Sequence, residues 1–451
     1  MSSRRVVNED LFDGRHLARL LVPLLIEQFL IVFLGLADMM MVSRLSAESV
    51  SAVSLVDNVN VLMNQVFAAL ATGGAVIAAQ YLGKGERDSA CASAEQLFLA
   101  VLGAAALVGI VVGVLHNQVL RITFGELEPA VQRDASVYMV ISAMTYPFIG
   151  IFSAGSAMFR AMGNSKTTML VSLVMTLVKV SLSAIGIYGL GLGVMGAALG
   201  TLISRMVSAG LYVHWIQNPS NALFIHSFRK LRWRFDLVKR ILHIGVPTGV
   251  ENGLFQFGKL LTLNLVAGLG TASVAANAIA NSLAGLFQLP GNAMALALVT
   301  LVGQCMGAGN ADKAASLSKR LVLLSSVSLL ATMSVLVAFT DQLVAMFNLT
   351  GFAAETCVNL LKLFAPMTVA IWSMAFVMPC ALRGAGDVRF TMGVSMASMW
   401  TSRVGLSYLL TGMMGFGLAG VWYAMYADWL VRAVCFVARF VKGKWKTIKV
   451  I

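Results

Sequence analysis

Along this chain, long apolar runs alternate with short polar connections. At about 20 apolar residues per crossing, the runs predict twelve membrane-spanning helices, near 17–42, 52–82, 92–115, 133–159, 167–189, 193–216, 240–267, 274–304, 316–339, 355–381, 390–411 and 416–438. The first run, "LLVPLLIEQFLIVFLGLADMMMV" from Leu20 to Val42, contains two carboxylic acids, Glu27 and Asp38. An acid at the bilayer centre costs about 2.5–3.5 kcal/mol on insertion scales, so its default reading is a functional site with a partner or a hydrated cavity. The eleven-residue spacing of Glu27 and Asp38 amounts to three helical turns, placing both on one face about 16 Å apart along the axis.

Sliding the chain by 224 residues lays one half on the other. Pro23 and Glu27 fall on Pro247 and Glu251, while Gln80, Gly83 and Gly85 of "AQYLGKG" fall on Gln304, Gly307 and Gly309 of "GQCMGAG". "RAMGNSK" (160–166) meets "RGAGDVR" (383–389) at an offset of 223, and "GLGVMG" (191–196) meets "GFGLAG" (415–420) at 224. Six spans per half is an even number, so the repeat is parallel, and such a repeat places a solute site near the midplane where the halves meet. The expected fold is an all-α integral membrane protein of twelve transmembrane helices in two pseudo-symmetric six-helix lobes. These are an N-terminal lobe (1–216), a basic cytoplasmic linker (217–240) with an interfacial amphipathic helix, and a C-terminal lobe with a basic tail (241–451).

Composition agrees with this reading. The 451 residues are 58% hydrophobic and 12% charged, with mean hydropathy +0.83, whereas soluble domains carry about 25% charged residues. The net charge of +13 does not point to nucleic acid, because the basic residues lie in short connections and not on one soluble face. The N-terminus, the connections after even-numbered spans and the tail, counted with the adjoining ends of the spans, hold 24 of the 33 Lys and Arg, so the positive-inside rule puts both termini in the cytoplasm. The first span is expected to serve as its own targeting signal, since the residues ahead of it show no cleavable-peptide pattern. Cys91, Cys305, Cys357, Cys380 and Cys435 have neither disulfide nor metal-ligand spacing. No HExxH, Walker loop, GxSxG or Cys/His cluster is present, so the chain is read as neither an enzyme nor an ATPase, with no cofactor and no metal.

Other polar residues fall on shared helix faces. Asp57, Asn60 and Asn64 line one face of the second span, and Asn277, Asn281 and Gln288 one face of the eighth. With Gln256 of the seventh span they are candidates for a hydrated substrate cavity, the competing reading being hydrogen bonds between helices. Pro290-Gly291 permits a bend in the eighth span. Lys179 and Arg403 are repeat mates and candidate charge partners, Lys179 for Asp38 or Glu27. Asp428 and Arg432 are spaced for a pair at i, i+4. The 24 Phe and 26 Met suit flat hydrophobic cations.

The "ADMMMV" end of the proline-containing first span, "ATGGAVIAAQYLGKG" with its weaker second copy, and the two "RGxG"-type turns together resemble the multidrug and toxic compound extrusion (MATE) family. That resemblance, over essentially the whole chain, implies a secondary antiporter of the bacterial inner membrane, acting as a monomer. It would export small organic, cationic or amphipathic compounds against inward H+ or Na+ through two lobes around a cavity. It also implies that Asp38 is the coupling ligand of the N-lobe. In one branch of the family a C-lobe cation site uses a seventh-span glutamate, near whose place Phe255 stands, and a tenth-span aspartate, near whose place Trp372 stands. Where another branch has an asparagine-rich fifth span, this chain has Thr176 and Lys179. H+ is therefore favoured over Na+, with Glu27 and Glu251 as further coupling or gate candidates. The alternatives are a flippase for lipid-linked oligosaccharides of the same superfamily, which usually has more helices and a strongly cationic cavity, and a channel or membrane enzyme, for which no charge ring or catalytic cluster is visible.

Overall fold

The computed structural model describes residues 14–226, 233–347 and 349–451. Its contacts divide the chain into two compact units, Met1–Gly249 and Val250–Ile451. The first contains α1 (Gly14–Val42), α2 (Ala47–Lys84), α3 (Arg87–Val114), the short α4 (His116–Phe124), α5 (Pro129–Ala161), α6 (Ser165–Ala184) and α7 (Val194–Ile216). α8 (Phe235–Ala267) passes from the first unit to the second. Then come α9 (Thr271–Phe287), α10 (Leu289–Gly307), α11 (Ala311–Ala338), α12 (Thr340–Ala345), α13 (Gly351–Met367), α14 (Met378–Gly384), α15 (Val388–Ser398), α16 (Leu406–Tyr408) and α17 (Gly417–Val441). The chain is all-α, as the hydrophobic pattern predicts. Part of the expected linker helix, residues 227–232, lies outside the described residues. Among those described, Arg87 holds the connection after α7 by donating to the carbonyls of Pro219, Asn221 and Ala222.

Among the described residues, nine helices are long and apolar enough to cross a membrane. The expected spans missing from that set are the seventh, eleventh and twelfth. These segments carry Glu251 and Lys259, Arg403, and Asp428 and Arg432. The expected eighth span is two helices: α9 ends at Phe287 and α10 starts at Leu289, where Pro290 in the first turn needs no backbone donor.

The repeat is visible in the backbone devices of both halves. Gly85 and Gly309 follow helix ends with φ of 81° and 74°, Gly193 precedes α7 with φ of 54°, and Gly417 is the first residue of α17 with φ of 55°. A side chain at these left-handed positions would be strained, which is why the sequence repeat is clearest at glycines. π-helical turns recur as well, at Ile185–Gly189 and Leu409–Met413. The second unit adds two more, Thr368–Val377 and Met399–Gly405.

Small residues bring backbones together where lipid offers no hydrophobic drive between helices. α5 packs against α2, α3 and α7. A Cβ on Gly109 of α3 would lie 2.7 Å from the Ala143 carbonyl oxygen of α5. One on Gly73 of α2 would lie 2.6 Å from the Ile241 carbonyl oxygen, which docks the start of α8 onto the first unit. Arg240 reinforces this contact by donating to the Tyr81 hydroxyl at 3.0 Å. All five cysteines are free thiols, and Cys305, Cys357 and Cys380 are buried.

Candidate functional site

Glu27 is buried within the first unit and fully bonded. Its Oε1 accepts from Arg160 Nη1 at 3.1 Å and from Ser156 Oγ at 3.4 Å, and its Oε2 from Thr168 Oγ1 at 2.6 Å. Ser156 and Arg160 stand one turn apart on α5, and Arg160 also donates to the Ser156 hydroxyl. This network ties α1 to α5 and α6.

Asp38, near the other end of α1, is paired with Lys179 of α6. Of the two candidate acids for Lys179, the structure selects Asp38. The ammonium is mostly buried, with a side-chain exposure of 13%, while the carboxylate keeps 30%. A second acid lies close enough for both charges to act on it: Asp57 of α2. Its Oδ1 accepts from Asn60 Nδ2 at 3.2 Å and from the Tyr138 hydroxyl at 3.3 Å. Asn60 in turn faces Ser142 Oγ at 3.2 Å and accepts from the Tyr146 hydroxyl at 3.1 Å, while Asn64 turns back to the Asn60 carbonyl. The polar face of α2 thus meets a polar face of α5. Tyr138, Ser142 and Tyr146 were not among the sequence candidates, yet they recur at i, i+4 and i+8, a stripe the helical period could have revealed. Arg205 of α7 completes the group; its guanidinium lies 4.9 Å from the Phe152 ring centre, within the field of Asp38. The polar centre of the first unit therefore sets Asp38 and Asp57 against Lys179 and Arg205.

The second unit repeats one of these arrangements and departs from the other. Glu251 Oε1 accepts from Arg383 Nη2 at 2.6 Å, as Glu27 does from Arg160. Arg160 and Arg383 are the first residues of the two aligned turns, so the repeat holds both partners of the pair. Their settings differ, because the hydroxyl of Thr391, the mate of Thr168, donates to the Val388 carbonyl in place of the glutamate. Glu251 Oε2 and Arg383 Nε are buried and have no hydrogen-bond partner among the described residues. At the place corresponding to Asp38 stands Thr262. Arg403, the mate of Lys179, therefore has no acid on α8 at that place. Its closest carboxylate is Asp428 of α17, at 3.9 Å. Asp428 is fully buried and committed to Arg432 Nε at 2.8 Å, the expected i, i+4 pair, and to Ser398 Oγ at 2.6 Å.

The remaining candidates on α8, α9 and α10 form no single cluster. Asn277 Oδ1 accepts from Trp422 Nε1 at 3.1 Å and from Asn281 Nδ2 at 3.0 Å. Gln288 sits at the break between α9 and α10, and Gln256 is half-buried on α8. Among the described residues no group of three or more His, Cys, Asp or Glu is placed to hold a metal ion.

Comparison with known proteins agrees with the repeat. A family profile described as MatE matches residues 23–185 and again 247–409, two stretches separated by the 224-residue offset. The chain is 27% identical over 442 residues to "Probable multidrug resistance protein NorM" of Thermotoga maritima, covering 96% of this chain and 93% of that one. It superimposes with a TM-score of 0.88 at 21% identity on an outward-facing multidrug resistance MATE transporter, covering 95% of this chain and 94% of the other. A MOP-superfamily transporter from Pyrococcus furiosus, described as having a binding pocket of reverse polarity, gives a TM-score of 0.89 at 21% identity over 99% of both chains. With its family profile matched in both halves, the chain belongs to the MatE family of membrane transporters.

Proposed function

We propose that the protein is a proton-coupled antiporter that exports small amphipathic organic compounds by alternating access, with Asp38 as the coupling acid. It would act as a monomer in a bacterial inner membrane, both termini cytoplasmic, with lobes 1–216 and 241–451 joined by the basic linker 217–240. Asp57, Asn60, Asn64, Gln256, Asn277, Asn281 and Gln288 would contribute to the substrate path, and Glu27 and Glu251 would act as gate residues.

The observation that carries this reading is the Asp38–Lys179 pair. A carboxylate paired with a lysine already has its counter-charge, so the place a Na+ ion would take is filled by an ammonium. Protonation of Asp38 releases Lys179, and an unpaired lysine inside a membrane helix costs about 2.5–3.5 kcal/mol. Swinging a two-state equilibrium from 1:99 to 99:1 takes about 5.5 kcal/mol. One pair supplies roughly half of that, and Asp57, within reach of both charges, is the next contributor.

The test is solute-driven proton flux in proteoliposomes, using ethidium and benzoate as organic cation and anion, with and without Na+ at fixed pH. The expected result is proton movement independent of Na+ and abolished by Asp38→Asn. Strict Na+ dependence would overturn the choice of ion, and near wild-type flux in Asp38→Asn would remove Asp38 from the coupling.

A further inference from the structure

Within the second unit, three cations gather around one aromatic ring, and one acid, Asp428, faces two of them. The ring is Phe255 of α8. Arg432 lies 5.2 Å from its centre, Arg403 5.5 Å and Lys259 6.0 Å. Arg432 is satisfied, bonded to Asp428 and to the Ser395 carbonyl at 3.1 Å. Arg403 and Lys259 are not. Arg403 stays 3.9 Å from Asp428, beyond hydrogen-bond length, and Asp428 Oδ2 has no hydrogen-bond partner among the described residues. Lys259 makes no ion pair among the described residues, and the charge that acts on it is another cation, Arg403.

The other carboxylates of the unit with ion pairs are committed elsewhere: Glu251 to Arg383, Asp387 to Arg439, Asp341 to Lys362 and Asp312 to Lys446. With Asp428 spent on Arg432, the group carries two uncompensated positive charges.

Two ordinary explanations fall short. For Arg403, whose side chain is 11% exposed, attraction to the Phe255 ring is worth about 0.5–2 kcal/mol, whereas an isolated ion withdrawn from water costs several kcal/mol, before the neighbouring Lys259, an exposed residue open to a ligand, repels it. Snorkelling is the other. Lys259 stands eight residues from the end of α8 at Ala267, about 12 Å of helix rise. Its ammonium lies over Phe255, one turn back, so it points away from that end. Arg403 sits in the π-helical stretch Met399–Gly405, a backbone form frequent at functional sites.

We propose that Arg403 and Lys259, beside Phe255, form a binding site for a monovalent anion: the carboxylate or sulfonate of an aromatic substrate, or a small inorganic anion. The ligand then supplies one of the two missing negative charges. Phe376, over which Arg432 lies at 5.7 Å, extends the aromatic surface on which the apolar part of an organic anion would rest. The inference deepens the transport reading by naming a charge class for the substrate, and rests on that reading only where the occupant is organic. It departs from the cationic substrate that the aromatic and methionine content suggests.

The test is equilibrium binding of benzoate and of chloride to full-length protein in lipid nanodiscs, in gluconate buffer without a gradient. Lys259→Gln is the primary variant, since it breaks no ion pair. The expected result is saturable binding, weakened roughly tenfold or more by Lys259→Gln, a loss of about 1.4 kcal/mol, and largely kept by Lys259→Arg. Lys362→Gln, which alters an exposed pair, should bind as wild type. Benzoate binding with weak chloride competition identifies an organic occupant, and chloride binding alone an inorganic one. No saturable binding of either anion, or equal binding by wild type and Lys259→Gln, would overturn the site. Asp38→Asn should still bind, so a failure of proton coupling and a failure of this site give different results.

Discussion

The Asp38–Lys179 pair gives the most direct test of how the first unit uses charge. Asp38→Asn removes the acid and leaves an ammonium only 13% exposed without its counter-charge, whereas Lys179→Met leaves a carboxylate that keeps 30% of its exposure and can be hydrated. Breaking a fully buried pair by removing one partner costs about 3–5 kcal/mol. With Asp38 partly accessible, solvent screening reduces this to about 1–3 kcal/mol. Asp38→Asn should therefore destabilise more than Lys179→Met. Replacing both partners removes the unpaired charge as well, so the double variant should recover most of the loss, giving an interaction energy of about 1–3 kcal/mol in the cycle. Thermal unfolding in nanodiscs, followed by tryptophan fluorescence, supplies the four stabilities, and proton flux in proteoliposomes supplies activity. Restored stability with abolished coupling is the expected combination. A double variant that loses the sum of the single losses would show that the two side chains do not interact, and one that couples normally would show that the pair has no part in the proton cycle.

Glu27→Gln should cost about 1–2 kcal/mol more than Glu251→Gln, because Thr168 and Ser156 add two bonds that Glu251 lacks; a larger loss for Glu251→Gln in the same unfolding assay would contradict the asymmetry. Gly73→Ala should destabilise by about 1–3 kcal/mol, since its Cβ would meet backbone atoms of Ile241 and Gly245 that cannot step aside, while Gly35→Ala, with open space around it, should be neutral or slightly stabilising. Orientation is testable on a background without native cysteines: Ser46→Cys, at the N-cap of α2, should react with an impermeant maleimide in intact cells, and reaction only after permeabilisation would invert the topology.

The hydrophobic pattern made the helices and their repeat legible because both rest on local rules, namely span length and glycines at left-handed turns. Individual acids and the paired amide faces were legible too, since a polar residue in an apolar run stands out. Their partners were not. Arg160 was visible as the first residue of a repeated turn, but nothing in one dimension says that it reaches Glu27 across 133 positions. Lys179 could be matched with either acid of α1, and only packing chose Asp38. Lys259 escaped notice for the opposite reason: it has no repeat mate of like chemistry and no acid three or four residues away. Its significance lies in the absence of a counter-charge, and a missing neighbour leaves no mark in a sequence.

The two halves show how a duplicated frame can separate two tasks. Both keep the Glu–Arg pair, Glu27 with Arg160 and Glu251 with Arg383, and both keep a cation one repeat apart, Lys179 and Arg403. What differs is the acid. In the first unit Asp38 stands beside Lys179, and the polar centre balances two acids against two bases. In the second, Thr262 occupies the corresponding place and Asp428, on the last helix, is held by Arg432. A balanced centre can change state by taking up a proton, because protonation unbalances it. A centre with surplus positive charge is already unbalanced and is completed only by a ligand of opposite sign. Installing an acid at position 262, the place that corresponds to Asp38, separates these behaviours within one chain: Thr262→Asp would supply one of the two missing counter-charges. If the anion site exists as proposed, this variant should lose benzoate and chloride binding even though Lys259 and Arg403 are both intact, whereas undiminished binding would place the anion elsewhere.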